Sequence, residues 1–112
     1  MIGEKDQRIV RLILEKIDRL MFICDKYSLQ EVEEDFMCFD SLNYEFEKMY
    51  EDFTRLSKEF VAQNPFLPIE NMRAIRNRVA HDYASVIVEV LYDTVKNDFP
   101  SFKEQLLELI ES

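Results

Sequence analysis

Hydrophobic positions recur at spacings of three and four along most of the chain, a pattern typical of amphipathic α-helices. From Asp6 to Tyr27 this pattern predicts a first helix with one apolar side. Ser28-Leu-Gln-Glu31 has the form of a capping box, so a new helical turn is predicted to begin there. A longer stripe between Asp35 and Ala62 predicts the longest helix, with its apolar residues in the core: Phe36, Phe39, Leu42, Phe46, Met49, Phe53, Leu56 and Phe60.

Prolines divide the second half of the chain. The segment NPFLP is the clearest break, and its last residue, Pro68, suits the first position of a third helix that runs to about Tyr83. Ser85 is predicted to cap a fourth helix. The segment 98–100 then kinks or restarts that helix ahead of a second capping box, Ser101-Phe-Lys-Glu104.

Composition agrees with a helical protein. One glycine and three prolines in 112 residues leave too little turn chemistry for a sandwich or barrel. The hydrophobic fraction of 47% suits a globular chain of one domain with a single core. We therefore predict an all-α fold, an antiparallel bundle of four to five helices, formed by one domain over residues 1–112.

Charge and cysteine content narrow the classes of function. A net charge of −9 repels nucleic acid at long range, so a polyanionic partner needs a local positive patch. Cys24 and Cys38 fit neither a disulfide framework nor a zinc pattern, and the sequence predicts no metal and no cofactor. Charges interrupt the apolar positions near the N-terminus, so neither a signal peptide nor a membrane partner is predicted. We expect a cytoplasmic protein.

A local positive patch does occur, beside the only histidine. Arg73, Arg76 and Arg78 precede His81 within eight positions of an otherwise acidic chain. On a helix, Arg76 and His81 point about 140° apart, so they converge only on a ligand that wraps the helix edge or reaches its end. Asn77 and His81 are four residues apart and are direct neighbours.

This set of side chains has two interpretations. Guanidinium groups bind phosphate through a fixed fork of donors, and an imidazole moves protons near neutral pH. Together they suit metal-independent cleavage of RNA, in which a base takes the 2′-hydroxyl proton and a cation stabilises the crowded phosphorus. The alternative is structural: His81 caps a helix end while the arginines pair with Asp82, Glu70 and other carboxylates.

The segment Arg76-Asn-Arg-Val-Ala-His-Asp-Tyr83 resembles the R-x4-H-x-Y signature of the HepT toxins, a branch of the HEPN superfamily of helical ribonucleases. The similarity extends to Arg55-Leu-Ser57, to the residues that precede the signature from Met72, and to Leu91-Tyr-Asp-Thr-Val-Lys-Asn-Asp-Phe-Pro100. It covers most of the chain, from about Arg8 onward.

The resemblance implies a HEPN-like bundle that dimerises through its signature helices around a shared cleft. It implies that Arg76 binds phosphate, that His81 is the acid/base, and that a minimal nucleotidyltransferase antitoxin transfers AMP to Tyr83. Asn77 matches the polar position after the arginine. The long helix departs from the family: Tyr50-Glu51 replaces a Gly-Glu pair, so a bulky tyrosine narrows or repacks the cleft.

Dimerisation also follows from the chemistry, because cleavage benefits from two proton-transfer groups and each chain has one histidine. A twofold axis at the signature supplies a pair of each group. We therefore expect a homodimeric endoribonuclease toxin that cuts RNA with Arg76 and His81, supported by Arg73, Asn77, Arg78 and Glu51. Two alternatives stay open: a non-catalytic dimer that binds the nucleotidyltransferase or serves as its acceptor, and a purely structural helical dimer.

Overall fold

A computed structural model of the protein describes residues 2–81 and 84–111, without the side chains of residues 79–81 and 84–87. The described part is all-α, which confirms the predicted fold class. Five helices have 13 residues or more and two have six. In chain order the helices are α1 Glu4–Lys26, α2 Leu29–Glu34, α3 Phe36–Thr54, α4 Lys58–Gln63, α5 Ile69–His81, α6 Ala84–Asn97 and α7 Phe99–Glu111.

The first helix, α1, is the centre of the bundle. It packs most extensively on α3 and also contacts α6 and α7. Most of its apolar side is buried, as the sequence pattern predicts, although Leu12 and Ile23 stay partly exposed. This burial contributes to the hydrophobic stabilisation of the bundle. The buried apolar residues of α1 are Ile9, Val10, Ile13, Leu14, Ile17, Leu20 and Cys24, and Asp6 is buried as well. None of the described helices is long and apolar enough to cross a membrane.

The predicted long helix over 35–62 is wrong, because the chain breaks between α3 and α4. Ser57 begins α4 as its N-cap: its hydroxyl accepts a hydrogen bond from the Phe60 amide at 3.2 Å. The carboxylate of Asp6 holds the same serine, accepting from its backbone N–H at 2.9 Å and its hydroxyl at 2.6 Å. A partner 51 residues away therefore fixes the break. The longest helix is α1, with 23 residues, against 19 for α3.

The first residues of the helices agree with the sequence prediction at some places and differ from it at others. The capping box at Ser28 and Glu31 is present in both directions, as predicted. The second predicted capping box is wrong, because α7 already begins at Phe99 and Ser101 lies inside it. Pro100 falls in the first turn of α7, where a missing N–H costs no hydrogen bond. The predicted aromatic core of α3 is wrong at its first residue, since Phe36 is 74% exposed.

The two cysteines lie in the core as free thiols. Burial raises the pKa of the Cys24 thiol to about 12, an effect that Lys96 opposes and Asp25 reinforces. Burial also raises the pKa of Cys38, and the nearby Asp35 carboxylate adds to this increase. Both side chains therefore stay protonated at neutral pH and act as small apolar groups that fill the core.

Candidate active site on helix α5

The candidate residues are carried by α5, whose rotation is set by its apolar side. The Pro68 carbonyl accepts the first hydrogen bond of the helix from the Met72 amide at 3.0 Å. Pro68 thus precedes the first helical residue, Ile69, rather than being it. Met72 and Ile75 are buried against the bundle. Because these two side chains face inward, the positions between and after them point outward. Arg73, Arg76, Asn77 and Arg78 are all exposed.

Two nitrogens of the Arg73 guanidinium contact other side chains of the protein. Its Nε donates a hydrogen bond to the hydroxyl oxygen of Tyr50 at 3.3 Å, and one terminal nitrogen lies 2.7 Å from a Glu70 carboxylate oxygen. The hydrogen bond to Tyr50 and then the charge of Glu70 raise the pKa of Arg73 above its usual range. Arg73 therefore keeps its positive charge and uses two of its three guanidinium nitrogens for contacts within the protein.

Arg76 is held differently. Its guanidinium carbon lies 5.6 Å from the centre of the Tyr50 ring, within the range of a cation–π contact. Among the described residues, a carboxylate oxygen of Glu47 is 3.8 Å from Nε, which is too long for a hydrogen bond. Half of the Arg76 side chain remains exposed to solvent. Arg76 thus combines a fixed location with access from outside.

Helix α3 supplies both contacts of Arg76. Glu47 and Tyr50 are three residues apart on α3, and Arg73 and Arg76 are three apart on α5, so each pair occupies one side of its helix. Tyr50 is only 8% exposed, and it touches both arginines. We name this group of four residues the arginine–tyrosine cluster. It is the place where α3 and α5 meet at the surface.

The other predicted site residues occupy different places. Glu51 lies on α3 with its carboxylate 3.5 Å from Lys48, while the described acidic neighbours of the arginines are Glu47 and Glu70. His81 is the last residue of α5, and its side chain lies outside the described part. Tyr83 also lies outside the described residues, as does Asp82, one of the carboxylates suggested as an arginine partner. The predicted pairing of an arginine with Glu70 is confirmed.

Two surface grooves flank α5. One, of about 800 Å³, contains Arg73 and Lys58 in its wall together with Glu70, and it passes the loop that joins α4 to α5. The other, of about 490 Å³, lies between α5, α6 and α7 and has an aromatic floor that includes Phe99 and Phe102. The first groove therefore has two exposed cations, Lys58 and Arg73, and one carboxylate, Glu70, in its wall.

Sequence reasoning missed the two α3 residues that hold the arginines. Glu47 was not considered, and Tyr50 was noted only as a bulky residue that narrows the cleft. A usable signal was present: Tyr50 lies beside the apolar stripe, four residues after Phe46 and three before Phe53, and a buried tyrosine ordinarily pairs its hydroxyl with a polar group. Nothing in the sequence identified that group as Arg73, because the pairing spans 23 residues.

Comparison with known proteins supports the resemblance to the HepT family that the sequence of α5 suggested. The family model for HepT-like ribonucleases matches residues 13–109. A probable ribonuclease HepT of Thermococcus cleftensis is 30% identical over 94 residues, which cover 80% of this chain and 86% of that protein. No solved structure matches the chain. The family match covers most of the chain, including all of α5 with its arginines and histidine: this protein belongs to the HepT-like family of ribonucleases.

Proposed function

We propose that this protein is a metal-independent endoribonuclease toxin of a toxin–antitoxin pair, with Arg76 and His81 as its catalytic residues. The observation that carries the proposal is the arginine–tyrosine cluster on a helix that ends at the only histidine, in a chain of a ribonuclease family. An exposed guanidinium held at a fixed place is the group that phosphate recognition needs. In a chain of net charge −9, such a patch is the place where a polyanion can bind.

In the proposed reaction, the neutral imidazole of His81 takes the proton of a ribose 2′-hydroxyl. The 2′-oxygen attacks the adjacent phosphorus, and Arg76 stabilises the negative charge that accumulates on the phosphoryl oxygens. The bond to the 5′-oxygen breaks, and that oxygen takes a proton from an imidazolium. The products are a 2′,3′-cyclic phosphate and a 5′-hydroxyl, so protons and charge balance without a metal ion.

The active unit in this proposal is a homodimer. Each chain carries one histidine, so two copies related by a twofold axis provide one imidazole as base and one as acid. The outer face of α5 supports this arrangement, because it is exposed and presents the small residue Ala74 among its polar side chains. Arg73, Asn77, Arg78 and Glu51 complete the set of supporting residues.

Control of the toxin is proposed to act at Tyr83, two residues beyond the end of α5. A cognate minimal nucleotidyltransferase transfers AMP to its hydroxyl. The added phosphate carries a negative charge and lies close in sequence to the arginines, so it competes with RNA for them. The protein and its antitoxin are proposed to work in the cytoplasm.

Cleavage of RNA in the presence of a chelator tests the catalytic proposal. Wild type is expected to yield fragments that end in 2′,3′-cyclic phosphate, which mass spectrometry identifies. Arg76→Ala and His81→Ala are expected to lose at least about 100-fold in rate, since each removes a group that acts in the transition state. Wild-type protein that leaves every RNA intact would remove the catalytic proposal.

A second candidate function has an observation in its favour. Glu47 and Glu70 already lie against Arg76 and Arg73, which weakens the positive potential available to RNA. A non-catalytic dimer that serves as acceptor or scaffold for the nucleotidyltransferase would tolerate this pairing. It predicts stable complex formation and AMP transfer to Tyr83, without RNA cleavage and without growth arrest when the protein is expressed alone.

A further inference from the structure

Tyr50 occupies the centre of the arginine–tyrosine cluster. Its hydroxyl accepts from Arg73 at 3.3 Å, and its ring faces the guanidinium of Arg76 at 5.6 Å. Since Tyr50 is 8% exposed, the bundle holds this ring in place while the arginines reach the surface. One buried side chain therefore contacts both cations, each through a different part of the side chain.

The two kinds of contact have different chemical consequences. A guanidinium directs all its N–H donors outward within its own plane, and a ring contacts it through its face. The described contacts of Arg76 are the Tyr50 ring and the Glu47 carboxylate at 3.8 Å from Nε, and neither of them is a hydrogen bond. Arg73, held by a hydroxyl and a carboxylate, spends its Nε and one terminal nitrogen inside the protein. In this cluster Arg76 has donors left to bind an anion, whereas Arg73 uses donors for contacts that stabilise the packing of α5 on α3.

Fixing Arg76 in advance matters because a free arginine side chain has many rotamers. A ligand that binds it must order those rotamers, and this cost falls when the protein has already ordered them. The same pre-positioning favours a reaction in which the guanidinium must meet charge as it develops on phosphorus. Glu47 adds a favourable charge at 3.8 Å from Nε without a hydrogen bond to replace.

We infer that Tyr50 is the positioning residue of this site: its ring face orders the Arg76 guanidinium and leaves the in-plane donors of Arg76 to the scissile phosphate. This role rests on the proposed ribonuclease function. Burial of Tyr50 in the bundle holds the ring beneath Arg76, and the hydrogen bond from Arg73 to its hydroxyl adds a minor contribution.

Two substitutions separate the ring from the hydroxyl. Tyr50→Phe keeps the ring and is expected to retain at least half of the wild-type kcat/KM. Tyr50→Leu removes the ring and is expected to lower kcat/KM about five- to thirtyfold, the range for loss of a partly shielded cation–π contact. Tyr44→Leu is the matched control: Tyr44 lies on the same helix with Lys48 over its ring at 5.5 Å, and it is 59% exposed. It is expected to leave kcat/KM unchanged.

A readout that needs no catalysis accompanies the kinetics. Proton NMR of the folded variants follows the side-chain methylene protons of Arg76, which a ring at this distance shifts upfield. The shift is expected in wild type and Tyr50→Phe, and it disappears in Tyr50→Leu. Circular dichroism at the same temperature confirms that each variant is folded, so the comparison does not depend on stability.

The outcomes distinguish a failure of the positioning role of Tyr50 from a failure of the proposed ribonuclease function. If wild type cleaves RNA and Tyr50→Leu matches it, or if Tyr50→Phe falls as far as Tyr50→Leu, the positioning role is wrong although the ribonuclease stands. If wild type cleaves no RNA, the proposed function fails, and the methylene shift alone decides whether Tyr50 orders Arg76. An unshifted Arg76 in wild type overturns the inference in either case.

Discussion

Two charge clusters lie on α3, and they are built in opposite ways. Near the C-terminal end of this helix Asp52, only 5% exposed, accepts from Lys16 at 2.8 Å and from Arg55 at 3.1 Å. One turn earlier the arginine–tyrosine cluster leaves half of Arg76 in solvent, with a ring as its main contact. The buried Asp52 carboxylate makes short contacts to both of its cations, whereas Arg76 contacts an uncharged ring and has its described carboxylate, that of Glu47, farther away at 3.8 Å.

The contacts of these cations suggest a criterion that separates a cation with a structural role from one that binds a ligand. A structural cation has a short contact to a buried carboxylate, because an unpaired charge in the core is costly. We expect a cation that binds a ligand to be held mainly by a group that carries no charge. By this criterion Lys16 is expected to be structural, and Arg76 is the cation that we propose binds phosphate, although both lie against the same helix.

The largest expected effect is on catalysis. Arg76→Ala is expected to lower RNA cleavage at least about 100-fold, while its midpoint of thermal unfolding stays near that of wild type because the residue is half exposed. Arg55→Ala is the matched control, an arginine of similar exposure in the Asp52 cluster. It is expected to keep full activity. Equal loss of activity in both variants would contradict the distinction between the clusters.

The next largest effect is on stability. Asp52→Ala leaves the largely buried Lys16 ammonium without its carboxylate, so the free energy of unfolding is expected to fall by about 2–3 kcal/mol. Asp18→Ala is the control: it removes an exposed carboxylate from α1 that lies 2.7 Å from Lys103. Its cost is expected to stay below about 0.5 kcal/mol. Urea unfolding measures both, and similar costs would show that burial does not set the difference.

Ser57 links stability to the break between α3 and α4. Ser57→Ala removes the N-cap of α4 and one of the two hydrogen bonds of the buried Asp6 carboxylate, so a loss of about 1–2 kcal/mol is expected. Ser28→Ala removes a cap of similar geometry in an exposed place and is expected to cost less, about 0.5–1 kcal/mol. A larger cost for Ser28→Ala would contradict the long-range role of Ser57.

The smallest effect concerns salt. Binding of a non-cleavable RNA is expected to weaken as salt rises, because phosphate contacts release counterions. Arg76→Ala is expected to reduce the slope of log K against log salt by about 1, the share of one phosphate contact. Asp52→Asn, assayed while folded, is expected to keep the wild-type slope. Identical slopes in wild type and Arg76→Ala would show that Arg76 does not contact phosphate.

Much of the fold could be predicted from local patterns. The apolar side of α1 and the capping box at Ser28 depend on neighbours in sequence, and both are confirmed. The break at Ser57 could not be predicted in the same way, because Asp6 fixes it from 51 residues away. The start of α7 was misplaced because the capping signal at Ser101 lies two residues inside the helix, which begins at the buried Phe99.

The candidate site, like the fold, could be predicted only where it depends on residues close in sequence. The residue types and spacing around Arg76 identified the segment, and the family match supports that identification. Its partners on α3 could not be predicted, since Glu47 and Tyr50 reach Arg76 only through the packing of α3 on α5. The sequence identified Arg76 as the candidate cation, and the packing of α3 on α5 shows that Glu47 and Tyr50 contact it.

Side-by-side incubation of wild type, His81→Ala and Arg76→Ala with RNA and a chelator shows whether these two residues perform the cleavage. We expect wild type to produce fragments that end in 2′,3′-cyclic phosphate, and we expect both variants to leave the RNA essentially uncut. Fragments formed at the wild-type rate by either variant would contradict the claim that these two residues perform the cleavage.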